Sequence, residues 1–358
     1  MRSMSALAIP VLTLSFTAVA AGPAATPVSV GPKPVDPASF DPAARPCEDF
    51  YQHAVGGWLK ANPVPADKSR WGSFEELADR NRAVLKAILE ETSAKSDWPK
   101  GSVGQKVGDF FASGMDEAAI EKAGTKPLEP WLARVDGLKS AADLPKLVAE
   151  LHGRRLMAGY AFFVGQDQKE TTRYMAMLSQ GGLGLPDRDY YLKDDPKSKE
   201  LREKYVAHVA RMLELLGDAP DAAKTKAATV MVLETKLAKA ARTRVELRDP
   251  ERNYNKRSVA ELVTEAPGYD WAAYFGALGV SGLKEVNVRQ PEFAAAFAAL
   301  AASEPLDAWR AYFRWHLVRA SADALPKRFE EEAFAFYGRT LNGVPQQEER
   351  WKRVQAAT

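Results

Sequence analysis

Residues 201–217 read LREKYVAHVARMLELLG. Leu201, Tyr205, Val209, Met212, Leu213 and Leu216 recur at three- and four-residue steps, the spacing that gathers side chains on one face of an α-helix. Gly217 follows where a helix commonly ends in a left-handed residue. The same period returns on both sides of this stretch: in Leu144, Leu147, Val148 and Leu151, in Val230, Leu233 and Leu237, and in Leu306, Trp309, Phe313, His316 and Leu317. Nearer the start, Ser73-Phe74-Glu75-Glu76 has the S-x-x-E form of a helix capping box, and Leu77, Val84, Leu85, Ile88 and Leu89 follow it at helical spacing. Strand signals are short, with Tyr160–Val164 and Val286–Val288 as the candidates. No period of 20 to 50 residues repeats, which argues against a solenoid. The fold class read from these stripes is mainly α, with the bulk of one helical domain between Gly101 and Gly343.

The chain has 358 residues, enough for one large or two ordinary domains. Its 46% hydrophobic and 27% charged residues exclude a disordered or fibrous protein. Forty-nine Lys and Arg balance 47 Asp and Glu, a net charge of +2 that gives no electrostatic footprint for nucleic acid. At the N-terminus, Arg2, an apolar run from Met4 to Val19 and Ala18-Val19-Ala20 fit a signal peptide ending near residue 20. The run is too short and interrupted for a stable membrane span, although an uncleaved anchor is the competing reading. Residues 21–40 form a Pro- and Ala-rich leader. The mature chain is therefore expected outside the cytoplasm, periplasmic or extracellular. There Cys47, the single cysteine, either pairs with a thiol outside this chain or stays free.

The catalytic inventory is thin. A zincin needs two imidazoles four residues apart with a carboxylate between them, but His53, His152, His208 and His316 are widely spaced and HExxH is absent. Asp49 and His53 share a helical spacing that suits a side-chain hydrogen bond better than a metal pair. His208 and His316 lie on or beside apolar stripes and read as satisfied core histidines. There is no GxSxG nucleophile elbow. Gly181-Gly182-Leu183-Gly184-Leu185-Pro186-Asp187-Arg188 is Gly-rich, yet it lacks the third glycine of a dinucleotide fingerprint, and Pro186 falls where that helix should run. Glu75-Glu76 and Glu330-Glu331-Glu332 read as solvated helical faces. Asn253 and Asn255, in a polar turn after Arg248-Asp249-Pro250, are candidates to cap the next helix.

Collinear blocks carry a family resemblance. Pro46-Cys47-Glu48-Asp49-Phe50-Tyr51-Gln52 with Gly56-Gly57-Trp58-Leu59 is followed by Asn62-Pro63-Val64-Pro65 and Ser69-Arg70-Trp71-Gly72-Ser73-Phe74. Gly184-Leu185-Pro186-Asp187-Arg188-Asp189-Tyr190-Tyr191, Arg248-Asp249-Pro250 with Tyr254-Asn255, and Arg350-Trp351-Lys352-Arg353 complete the series. Together they resemble the N-terminal half of neprilysin-type zinc metalloendopeptidases, the family that includes the endothelin-converting enzymes and secreted bacterial relatives. The likeness spans Asp41 to Arg353.

The resemblance implies a two-lobed, mainly helical protease around a central chamber. Residues 41–100 would pack on the catalytic lobe, and residues 101–358 would form a helical domain that caps the chamber and limits substrates to peptides. It also implies that HExxH, the zinc ligands, the general base and a substrate-binding Asn-Ala-Tyr strand lie in a C-terminal catalytic lobe that this chain lacks. On that reading no residue here is catalytic or metal-binding, zinc belongs to the full-length member, and the cap is unfinished at Thr358. Pro345 suits the first turn of a last helix, and Ala356-Ala357-Thr358 supplies no cap for its end. Cys47 would bridge to the missing segment, while Val55 replaces a second cysteine often seen before GGW. Arg70 matches the family arginine that meets a peptide's free carboxylate, chemistry suited to a guanidinium fork; a structural ion pair is its other reading. Ala78 stands where some members carry a second arginine. Trp58, Trp71 and Tyr190 read as packing aromatics. Two alternatives remain: a stand-alone exported peptide-binding protein that has lost the chemistry, and an unrelated helical hydrolase with dispersed site residues, which only the family resemblance opposes.

Overall fold

The structure, a computed structural model, describes residues 35–358. The signal-peptide residues and most of the leader lie outside that range. The chain divides into two compact units, one ending at Pro63 and one running Val64–Thr358. In the first unit, Asp49 opens helix α1 (Phe50–Ala61) by accepting the Gln52 N–H at 2.8 Å. The His53 backbone N–H donates to the Asp49 carbonyl at 3.0 Å, but the two side chains do not bond each other; the His53 ring bonds the Ala44 carbonyl at 2.8 Å instead. A Cβ added at Gly57 would lie 2.3 Å from the Ala38 carbonyl oxygen, so the glycine of the GGW block allows the helix to approach the segment before it.

The second unit runs α2 (Ser73–Ala94), α3 (Val103–Met115), α4 (Glu117–Ala123), α5 (Glu129–Asp136) and α6 (Leu144–His152) into strands β1 (Tyr160–Gln166) and β2 (Tyr174–Gln180). A single turn, α7 (Asp189–Leu192), leads to α8 (Pro196–Leu215) and α9 (Pro220–Ala240). Then come β3 (Lys256–Ser258), α10 (Val259–Glu265), α11 (Trp271–Ala277), β4 (Glu285–Val288), α12 (Pro291–Ser303) and α13 (Leu306–Ser321). Helix α14 (Lys327–Ala333) continues into a π-helical segment, Phe334–Leu341, and α15 (Arg350–Ala357) closes the series. The mainly α reading is borne out. No helix of the described residues is long and apolar enough to cross a membrane.

The stripes at Leu144–Leu151, Tyr205–Leu213, Val230–Leu237 and Trp309–Leu317 are buried, and Gly217 ends α8 at φ 101°. They feed two adjoining cores. One packs Tyr160, Trp271, Tyr274 and Phe297 between the sheet and α6, α11 and α12, with the Tyr160 and Phe297 rings edge to face at 4.8 Å. The other gathers Tyr205, Val230, Trp315 and Phe329 from α8, α9, α13 and α14. A small third cluster, Leu89, Phe111 and Val354, forms where α15 returns to α2 and α3.

The sheet order is β1-β2-β4-β3. β1 and β2 are antiparallel, with Phe162 opposite Leu178. β4 joins β2 in parallel, Met177 opposite Asn287, and β3 edges β4 with Arg257 opposite Val286. Both strand candidates are present as β1 and β4. β2 escaped the sequence because Met175–Leu178 are buried on both faces, so apolar and polar residues do not alternate. β3 is three polar residues that pair only because β4 is beside them.

Several local expectations are corrected. Gly72, not Ser73, is the N-cap of α2, and no side chain caps that end. Of the α2 stripe only Leu89 is buried; Leu77, Val84, Leu85 and Ile88 stay about half exposed. Glu330 is not solvated. It is buried and paired with Arg350 at 2.9 Å and Arg353 at 2.6 Å, two side chains that α15 brings to it. Pro345 sits in the loop before α15, whose N-cap is Glu349. The helix after the polar turn, α10, is capped by Ser258 in a capping box with Glu261, while Asn253 is buried and accepts from Gln290 at 2.6 Å.

Candidate functional site

Arg70 lies in the extended segment that enters α2. Its Nε donates to Glu75 Oε1 at 2.6 Å, yet its side chain remains 84% exposed. An ion pair so open to water contributes little to stability and leaves most of the guanidinium edge in solvent. The segment itself is braced. Glu348 accepts from Lys68 at 2.5 Å and Arg82 at 2.8 Å, and Lys352 bonds Asp67 at 3.0 Å. Burial alone would raise the Asp67 carboxyl, but the hydrogen bond and charge of Lys352 hold it below its ordinary value. Trp71 is partly buried, and Tyr190 packs against the α8–α9–α13 core.

The buried histidines are committed inside the protein. His152 bonds the Tyr274 hydroxyl at 2.7 Å and the Ala158 carbonyl at 3.1 Å, and burial pushes its pKa down to about 4. His208 bonds Glu332 at 2.7 Å, and His316 bonds Glu234 at 2.9 Å. Burial lowers both pKa values despite those carboxylates. No group of three His, Cys, Asp or Glu among the described residues could hold a metal. A catalytic zinc does not fit the described residues of this chain. Cys47 is exposed.

Sequence reasoning passed over Glu234. It is fully buried on α9 and accepts the hydroxyls of Tyr191 at 2.7 Å and Tyr205 at 2.8 Å besides bonding His316. The network continues into the Gly-rich loop. The Tyr191 hydroxyl takes the Leu185 N–H at 2.8 Å, the Tyr312 hydroxyl donates to the Gly182 carbonyl at 2.6 Å, and the Tyr337 hydroxyl donates to the Gly184 carbonyl at 3.0 Å. Residues 182–185 are thus held by three tyrosines from α7, α13 and the π-helical segment. The sequence signal was a Glu at a stripe position between Val230, Leu233 and Leu237, where an unpaired carboxylate would be costly. A Cβ at Gly184 would fall 1.8 Å from the Tyr205 hydroxyl. Gly184→Ala is therefore expected to cost about 2–3 kcal/mol, at the upper end of overpacking effects, seen as a lowered urea midpoint. An unchanged midpoint would mean the loop relaxes freely.

Comparison with known proteins places this architecture. The N-terminal model of Peptidase family M13 matches residues 46–358. The chain belongs to that family, and the neprilysin-type resemblance is borne out. It is 30% identical over 330 residues to endothelin-converting enzyme 1 of Rattus norvegicus, covering 88% of this chain and 42% of that protein. It is 29% identical over 333 residues to an endothelin-converting enzyme homolog of Locusta migratoria, covering 87% and 45%. The inhibitor-bound crystal structure of the Mycobacterium tuberculosis zinc metalloprotease Zmp1 is similar at TM-score 0.85 and 36% identity, over 90% of this chain and 49% of that one. The chain spans less than half the length of these relatives.

Proposed function

We propose that this chain is the N-terminal, chamber-capping part of an exported zinc metalloendopeptidase, which encloses peptides against a catalytic lobe supplied by the rest of a longer protein. The observation that carries the reading is the match of nearly the whole chain to about half of proteins named as converting enzymes or as a zinc metalloprotease. Zinc, HExxH and the general base then belong to the other half. The half-exposed Leu77, Val84, Leu85 and Ile88 of α2 support this assignment, because apolar side chains gathered on one exposed helix face suit an interaction surface. In this reading residues 41–100 meet the catalytic lobe, and Cys47 bridges to a cysteine there. The decisive experiment isolates the endogenous product with antibodies against residues 101–217 and measures its size, zinc content and peptidase activity. A zinc-bearing peptidase much longer than 358 residues is expected. A zinc-free product of this length that binds peptides would replace the proposal with a stand-alone binding protein.

Arg70 is assigned the free carboxylate of the bound peptide, with its solvent-facing edge available beside the Glu75 pair. In the whole protease, Arg70→Ala should raise KM about tenfold for peptides ending in a free carboxylate, within the range for a hydrogen bond to a charged group, and leave amidated peptides unaffected. An equal effect on both would reduce Arg70 to a structural ion pair.

A further inference from the structure

The Gly-rich loop forms one wall of a cavity of about 440 Å3, within the size range of ligand pockets. Four arginines line it, Arg188, Arg242, Arg244 and Arg289, against one carboxylate, Asp187. Two of the four are committed. Arg242 is clamped by Glu292 and by the Arg252 and Arg289 carbonyls, and its own backbone is tied to the Gln180 amide at 2.7 Å and 3.1 Å. Arg244 pairs with Asp187 at 2.5 Å. The other two, Arg188 and Arg289, have no carboxylate partner among the described residues. Arg188 Nε is buried with no acceptor among them. A guanidinium nitrogen that has lost water without gaining an acceptor, as Arg188 Nε has, is costly, and an excess of arginine over carboxylate in one concave site focuses a positive field outward.

We propose that this cavity is a subsite for an acidic side chain of a peptide ligand, with Arg188 and Arg289 as its carboxylate-binding forks. The charge selects an anion, and the rest of the lining selects a peptide over a small oxyanion. Leu183, Pro186 and Leu247 give the cavity an apolar wall that a phosphate would not use. A backbone phosphate cradle is built from free N–H groups, and the Leu185 N–H of this loop is already spent on Tyr191. That the anion arrives on a peptide rests on the peptidase reading above; the unpaired guanidinium groups do not depend on it.

The test is fluorescence anisotropy of the 358-residue chain with a labelled Glu-rich hexapeptide, its Gln-for-Glu counterpart, and inorganic phosphate as competitor. The Glu peptide should bind at least tenfold more tightly than the Gln peptide and weaken with salt. Arg188→Gln and Arg289→Gln should each lower that affinity five- to thirtyfold with circular dichroism unchanged. Arg289→Lys should restore part of the loss, and it guards against an Arg188 variant that fails to fold. Equal binding of the two peptides, or full binding by both variants, would overturn the proposal. So would phosphate binding that depends on Arg188 and Arg289 without any peptide binding. This assay needs no catalysis, so it can fail while the endogenous product proves to be a zinc peptidase, and it can succeed if that product does not.

Discussion

Glu234→Leu should destabilise the larger unit by about 4 kcal/mol, since each buried polar group left without a partner costs about 1–3 kcal/mol. The substitution removes the acceptor of two tyrosine hydroxyls and the partner of His316 in a site with no access to water. Because Tyr191 also takes the Leu185 N–H, the damage should spread into the loop at residues 182–185. Glu234→Gln keeps one oxygen in place for both tyrosines, which meet the same carboxylate oxygen, and should cost about half as much. Urea unfolding at pH 7 followed by near-ultraviolet circular dichroism separates the variants. If the leucine variant matched the glutamine variant, the site would be tolerating the loss as simple apolar packing, as some buried polar clusters do.

Acid should unfold this protein earlier than its carboxylates alone require. Burial holds His152 at about 4 against its ordinary 6.5, and pushes the pKa values of His208 and His316 down in the same direction. A histidine kept neutral in the fold binds its proton only in the unfolded chain as pH falls below 6.5, so the stability it contributes is complete above 6.5 and is lost toward its folded value. For His152 that interval amounts to about 3 kcal/mol at about 1.4 kcal/mol per pH unit. The carboxylates act lower: Glu246, held at about 2 first by the Thr243 N–H and hydroxyl, begins to lose its contribution only below its ordinary 4.5. The urea midpoint should therefore fall steadily between pH 6.5 and 4.5. A flat midpoint across that interval would show that the three histidines titrate alike in folded and unfolded chains.

Much of this architecture is legible in the amino-acid sequence. Leu144–Leu151, Tyr205–Leu213 and Trp309–Leu317 announce their helices because a buried helix face repeats every 3.6 residues whatever it packs against. Gly217 marks an end for an equally local reason, its φ of 101°. The collinear blocks from Cys47 to Arg353 pointed to the family that the comparisons establish. The single cysteine and the widely spaced histidines argued against a disulfide or a zincin motif within the chain.

What periodicity could not carry was the identity of each face's partner. The α2 stripe has the same helical spacing as the others, yet Leu77, Val84, Leu85 and Ile88 are left half exposed while Leu89 alone is covered. Glu330 looks like its neighbours Glu331 and Glu332 in sequence, and only the return of Arg350 and Arg353 from α15 buries it. Glu234, Tyr191, Tyr205 and His316 come from four segments spread over 126 residues, and no local pattern joins them. Arg188 and Arg289 reach one cavity because β2 pairs with β4 in parallel, Leu178 opposite Val288. The sequence by itself determined which segments become helices and which family they compose, since those are short-range properties of spacing and motif. The tertiary structure decided which charges are paired, buried or left open, because that depends on contacts between residues far apart in the chain.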